Sequence, residues 1–183
     1  YTIKSTNAVG TTDYINFLVG NNGATEAMRI INSGFIGIGT STPEMELEIL
    51  RDGDAVAQML TNYGGTVGSS YMARRALGTK AIPSAVVSGS QLIIVGARGY
   101  GSTGFSSGTR ARIVMTSSET WTDAAQGAEL RFYTTQNGST TITEQMRINN
   151  DGNVGIGAST TISARLHVIS TTEQLRVGYN STN

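Results

Sequence analysis

The stretch TEQMRINNDGNVGIG, Thr143 to Gly157, decides how the chain is read, because a second version, TEAMRIINSGFIGIG, occupies Thr25 to Gly39. Ungapped pairing leaves Thr, Glu, Met, Arg, Ile, Asn, Gly, Gly, Ile and Gly identical, 10 of 15 positions, and the two copies frame most of the sequence. A partial third start stands at Thr172-Glu173-Gln174-Leu175-Arg176-Val177. Within each copy Met146 and Ile148 (Met28 and Ile30) alternate with Arg147 (Arg29), the period of a half-buried strand. Asn150-Asp151-Gly152 then reads as a two-residue hairpin turn, since Asp-Gly tolerates positive φ, and Gly34 takes the matching place. Beyond it Val154 and Ile156 (Ile36 and Ile38) alternate with glycine. One strand face is branched and apolar and the other is bare, which predicts another backbone packed close against it. A lone hairpin of this kind is marginal in water and needs further strands, from this chain or from copies of it.

The surrounding sequence fits an all-β chain. Of 183 residues, 38% are hydrophobic and 14% charged, below the roughly 45–50% and 25% of ordinary soluble domains. Glycine is abundant at 23, and Ser, Thr and Asn are frequent. Lys plus Arg and Asp plus Glu are both 13, so no long-range field favours nucleic acid or an anionic membrane. All but Lys4 and Lys80 of the positive charges are arginine, which suits planar, partly buried pairing across interfaces. There is no cysteine, which excludes disulfides and thiolate chemistry, and no apolar run long enough to cross a bilayer. The chain starts at Tyr1 without a signal-peptide pattern and reads as a piece of something longer.

Strand signals at Thr2 to Lys4 and Tyr14 to Val19 lead through Asn21-Asn22-Gly23 into the first copy, and Glu129 to Thr134 leads through Asn137-Gly138 into the second. After each core a polar link precedes an alternating strand, Met45 to Leu50 and Ala164 to Ile169, the second link being one residue longer. Asp54 to Leu60 is a short helix or a strand. Ser70 to Ala76, Gln91 to Val95, Arg110 to Met115 and Ala128 to Tyr133 read as strands separated by glycine and serine loops, chiefly Gly96 to Gly108. The expected division is a first repeat unit at 1–50, a β-rich central body at 51–128, a second unit at 129–170 and a truncated one at 171–183.

EQMRINNDGNVGIG followed by a polar link and ARLHV resembles the stalk repeats of bacteriophage tail fibres and tailspikes and of related bacterial surface proteins, often found upstream of a self-cleaving chaperone domain. The order of motifs from Tyr71 to Ser139 is similar to theirs as well. The resemblance implies a homotrimeric, elongated, all-β fibre segment in which Met28, Ile30, Ile36, Ile38, Met146, Ile148, Val154 and Ile156 face the axis or a neighbouring chain. Ile31 and Phe35 stand where the second copy has Asn149 and Asn153, so the first copy is expected to be the more deeply covered. No chaperone domain follows Asn183, so this stretch alone does not account for assembly.

Chemistry-bearing residues are sparse. His167, the only histidine, reads as a strand residue on the face opposite Leu166 and Val168, and without a second histidine or a cysteine the common zinc sites are excluded. Asp151-Gly152-Asn153 and Asp52-Gly53-Asp54 lack the remaining ligands of a calcium loop and read as turns; GIG lacks the Lys-Ser/Thr of a phosphate loop. Glu119, Asp123 and Glu129 are the carboxylates a glycosidase reading would use, if two stood across a groove. Trp121, Tyr100 and Phe105 are candidate ligand-facing aromatics, with plugs between strands as the alternative. Arg74-Arg75 and Arg110/Arg112 read as solvated or inter-chain ion-pairing residues.

The function expected is a structural segment of a trimeric fibre, a phage tail fibre engaged in host attachment, in the virion tail or at a cell surface. A bacterial filament or adhesin segment, with GYNSTN running on end to end into YTIKSTN, and a piece of a polysaccharide-degrading tailspike are the alternatives. Expected partners are other copies of the chain and a host-surface glycan or protein. No enzyme activity, cofactor, metal, nucleic acid or membrane insertion is expected.

Overall fold

The computed structural model describes residues 13–53, 58–157 and 160–170, and these residues are all-β, without an α-helix. The predicted strand at Thr2 to Lys4, the truncated third repeat and most of the undecided segment at Asp54 lie outside the described residues. The chain divides into two compact units, Tyr1–Ser70 and Tyr71–Asn183.

In the first unit β1 (Tyr14–Val19), β2 (Thr25–Ile31), β3 (Ile36–Ile38) and β4 (Leu47–Ile49) form one sheet in sequence order. In the second, β5 (Leu77–Gly78) pairs with β6 (Pro83–Ser84). A six-stranded sheet then runs in order through β7 (Gln91–Ala97), β8 (Ala111–Ser117), β9 (Ala128–Thr135), β10 (Ile142–Ile148), β11 (Val154–Ile156) and β12 (Leu166–Val168). The predicted strand Ser70 to Ala76 does not form: these residues join no ladder and are exposed throughout. Its sequence explains this, because Tyr71-Met72 and Arg74-Arg75 put one apolar and one charged residue on each face, leaving neither face to bury.

The two repeats fold alike, residue for residue. Met28, Arg29 and Ile30 lie opposite Ile38, Gly37 and Ile36, and Met146, Arg147 and Ile148 opposite Ile156, Gly155 and Val154. A bulge interrupts each preceding ladder at the same place, leaving Ala27 and Gln145 without a partner across the strand. The carbonyl freed by the bulge has a use. Gly39 donates its N–H to Ala27 O at 3.2 Å and Gly157 donates to Gln145 O at 2.9 Å, ending the GIG strand in both copies.

Each turn is a three-residue loop rather than the two-residue one predicted. Gly152 N donates to Asn149 O at 2.9 Å and Asn149 N to Asn153 O at 3.0 Å; in the first copy Gly34 N donates to Ile31 O and Ile31 N to Phe35 O. Only the glycines, Gly34 at +86° and Gly152 at +76°, take positive φ, so Asp151 never adopts the left-handed state a two-residue loop demands. Asn22-Gly23 does make the two-residue turn, with both φ values positive and Ala24 N bonded to Asn21 O.

After the core, each chain returns as a strand parallel to the one it left: Ile36, Gly37 and Ile38 lie beside Leu47, Glu48 and Ile49, as Val154, Gly155 and Ile156 lie beside Leu166, His167 and Val168. A parallel return usually takes a dozen or more residues with a helix. Here the link Gly39 to Glu46 is shorter and helix-free, and the additional residue in the second link leaves the pairing register unchanged. The bare glycine faces are explained by this return. A Cβ on Gly37 would stand 2.4 Å from Thr40 O, and one on Gly39 or Gly157 would stand 2.2 Å from Leu50 O or Ile169 O. The close backbone is therefore the chain's own following segment.

Candidate functional site

Register fixes what each sheet presents. Across the six-stranded sheet Val95, Ile113, Phe132, Met146, Ile156 and Val168 are successive neighbours, and Ile93, Met115, Leu130, Ile148, Val154 and Leu166 form a second row beside them on the same face. Twelve apolar side chains thus pave one face from edge to edge. In the small sheet Phe17, Met28, Ile38 and Ile49 form one such row and Ile15, Ile30, Ile36 and Leu47 another. All eight residues read as packing positions in the sequence lie on these two faces. The single chain covers them poorly: Val95 is 59% exposed, Leu166 53%, Met115 47% and Ile156 41%, and among the described residues the buried aliphatic side chains are Val86 and Val114.

The opposite face of the six-stranded sheet is largely ionic, and all but Arg112 Nε and Thr116 Oγ1 of its buried side-chain polar atoms among the described residues have partners. Arg147 forks onto Glu144, Nε donating to Oε1 at 2.7 Å and Nη2 to Oε2 at 2.8 Å, while its Nη1 donates to Glu129 Oε2 at 3.0 Å. Arg131 also donates to Glu129 Oε1, and Tyr133 donates its hydroxyl to Glu144 Oε2 at 3.2 Å. Arg112 stacks over the Tyr133 ring at 4.8 Å. Pairing with Glu144 raises the Arg147 pKa further above its ordinary value, so this guanidinium stays charged. The first unit repeats the fork. Arg29 Nε and Nη2 donate to the two Glu26 oxygens at 2.7 and 2.6 Å, and this bond lowers the Glu26 pKa. Where Arg147 takes Glu129 as its second partner, Arg29 lies over the Tyr14 ring at 4.0 Å. The fork was not singled out in the sequence, although the Glu-x-x-Arg spacing shared by the two copies was its signal.

The carboxylates considered for hydrolysis have structural partners. Glu129 is held by the two arginines, and Glu119 Oε1 accepts the Gly127 N–H at 2.6 Å. Asp123 lies in the exposed loop between β8 and β9. Trp121 sits in that same loop, half-buried, its indole N–H bonded to Gly127 O at 2.9 Å. Tyr100 and Phe105 lie at the other end of those strands, in the β7–β8 loop, 66% and 63% exposed and packed edge to face with centroids 5.2 Å apart. The loop is fastened beneath them by Gly101 N to Gly104 O at 2.8 Å, Ser106 N to Gly99 O at 3.0 Å and Arg98 Nε to Ser106 O at 2.6 Å. The three candidate aromatics therefore make one pair and one separate residue within a chain.

His167 shares the face of Arg147 and Gly155, and its Nδ1 lies 3.3 Å from Ser163 N and 3.0 Å from Thr161 O. It accepts from the first in one tautomer and donates to the second in the other. Its counterpart Glu48 accepts from Glu44 N at 2.7 Å, so the central side chain of each return strand pins its own link. Among the described residues no group of three His, Cys, Asp or Glu is placed to hold a metal ion, and no helix is long and apolar enough to cross a membrane.

One apolar face, one largely ionic face and parallel returns without helices characterise this all-β fold. Solved structures share it: the carboxy-terminal domain of the bacteriophage T5 L-shaped tail fibre superposes with a TM-score of 0.67 at 16% identity, covering 97% of this chain and 77% of that one. The same tail-fibre domain with its intramolecular chaperone domain superposes equally well, 53% of its chain being covered. No protein-family model matches the sequence, and no curated protein matches it.

Proposed function

We propose that the chain is a structural segment of a trimeric phage tail fibre, carried in the virion tail, with assembly rather than catalysis as its task. The observation that carries this reading is the edge-to-edge apolar face of the six-stranded sheet, in a chain where among the described residues the buried aliphatic side chains are Val86 and Val114. Burial of apolar surface is worth roughly 25 cal/mol per Å², and most of it is left ungained until other copies cover that face. Met146, Ile148, Val154 and Ile156, with Met28, Ile30, Ile36 and Ile38, are the inter-chain packing residues. The units at 1–50 and 129–170 serve as stalk modules, and in the second the module's strands continue the sheet begun by β7 and β8 of the 51–128 segment. Because separation of the copies uncovers what stands in for a core, dissociation and unfolding coincide, which gives kinetic resistance to heat and detergent.

Native mass at several concentrations is the test. Three times 19.2 kDa supports the reading, open-ended filaments in electron micrographs redirect it to a polymer, and a monomer at all concentrations refutes it. Host attachment is assigned to the Tyr100 and Phe105 pair, a rigid exposed aromatic surface suited to the face of a sugar ring. Tyr100→Ala/Phe105→Ala should abolish binding to host envelope polysaccharide while the native mass is unchanged; unaltered binding removes this assignment.

A further inference from the structure

Residues 71–76, YMARRA, join no ladder and are exposed along their whole length, with Tyr71 69% and Met72 83% exposed. Arg74 and Arg75 have no ion-pair partner among the described residues. Within the described residues of a single chain water alone serves this backbone and its two arginines, which leaves the segment open to a ladder partner.

Of the four edges of the two larger sheets, one is acidic. The β4 edge carries Glu44, Glu46 and Glu48 with Asp52 just beyond, whereas β12 is flanked by Arg165 and contains His167, β7 is followed by Arg98, and β1 has Asp13 alone. The β4 edge is also open. Glu46 O and Leu50 N are spent on β3, accepting from Ile36 N and donating to Ile38 O, so the alternate residues Leu47 and Ile49 aim their backbone groups away from the sheet. Glu48 is engaged by Glu44 N, but the Glu44 and Glu46 carboxylates have no partner among the described residues.

We propose that Tyr71–Ala76 of one copy adds as a fifth strand to the β4 edge of a second copy, its arginines paired with Glu44 and Glu46 of that copy. Because Arg74 and Arg75 point to opposite faces, either register brings one of them onto the glutamate face. Main-chain hydrogen bonds supply the attachment, and the charges select this edge over the basic ones. The inference rests on self-association, and it names the exchange that locks the copies together.

The test is made on the full chain. Arg74→Lys/Arg75→Lys provides amines for zero-length carbodiimide coupling to carboxylates, and co-refolding ¹⁵N-labelled with unlabelled chains separates links between copies from links within one. Cross-linked peptides joining 70–80 to 44–52 in mixed-isotope pairs are expected. Links only between peptides of the same isotope, or none in a preparation whose native mass is multimeric, overturn the strand exchange and leave the assembly reading standing; a monomeric mass overturns both. A second arm avoids refolding. Arg74→Glu/Arg75→Glu should lose the multimer on dilution and Glu44→Arg/Glu46→Arg should restore it, and a multimer indifferent to both pairs of changes refutes the proposal.

Discussion

Gly157→Ala puts the return geometry of the repeat to a quantitative test. Gly157 sits at φ +70°, and a left-handed conformation costs a residue bearing Cβ roughly 1–2 kcal/mol. The added methyl would also stand 2.2 Å from Ile169 O. That carbonyl belongs to backbone rather than to a flexible side chain, and Ile169 N is bonded to Ile156 O at 2.9 Å, so retreat pulls the return strand off its neighbour. Forced repacking of this kind costs about 1–3 kcal/mol, for a total of roughly 2–5 kcal/mol. The control is Gly152→Ala. Its φ of +76° carries the same conformational cost, yet its nearest neighbour is Arg165 Nη1 at 3.8 Å, so only roughly 1–2 kcal/mol is expected. Thermal unfolding at one fixed protein concentration reads the difference, about 2–4 °C per kcal/mol for a chain of this size. If Gly157→Ala melts with Gly152→Ala, the close approach is not a constraint and the account of the bare glycine face fails.

Three further outcomes follow from the same coordinates. Ile156→Asp, at a position 41% exposed in one chain, should lose the assembly and the far-UV strand signal together, whereas Val114→Ala, at 0% exposure, should keep the native mass and cost about 2 kcal/mol from lost methyls and a cavity; sedimentation and denaturant midpoints distinguish the two. Arg147→Ala strips the shared partner from Glu129 and Glu144, whose side chains are 6% and 11% exposed, and should cost about 2–3 kcal/mol, more than Arg131→Ala, because it leaves buried charge uncompensated. Chemical denaturation that ranks Arg131 first would contradict that reading of the network. The Glu26 pKa is lowered by its fork with Arg29, so its contribution is present above the unfolded glutamate pKa and disappears as pH falls through the folded one; Glu26→Gln should differ from the parent in melting temperature at neutral pH and converge with it in acid, and a gap that widens on acidification would reverse the sign.

The repeat made much of this fold legible. Identity between the copies implied identical folding, and the alternation of Met, Arg and Ile against Val or Ile and Gly fixed which residues share a face before any pairing was known. Turn chemistry was read less well, since Asp151-Gly152 and Asn137-Gly138 have the composition of two-residue loops but only the glycine leaves the right-handed half of φ space. Ser70 to Ala76 failed for the opposite reason. Its length and place suit a strand, but Tyr71-Met72 and Arg74-Arg75 give neither face an apolar side to bury, and strand formation also needs a second segment that the sequence does not name.

The ionic face was the least legible feature, because it depends on a bulge. An arginine and a glutamate three residues apart in a strand should point to opposite faces; here the bulge at Ala27 and at Gln145 adds the residue that turns both to the same side, so one irregularity creates the Glu26 and Glu144 forks and frees the carbonyl that receives Gly39 or Gly157. On that face Arg131, Arg147, Glu129 and Glu144 neutralise one another, while Arg112 has the Tyr133 ring and a buried Nε without an acceptor among the described residues. The other face offers only hydrocarbon and is the more exposed, Val95 at 59% and Met115 at 47% against Val114 at 0% and Glu129 at 9%. Both forks survive while Asn149 and Asn153 are replaced by Ile31 and Phe35 in the first copy, so the repeat holds its amphipathic division constant and varies the turn.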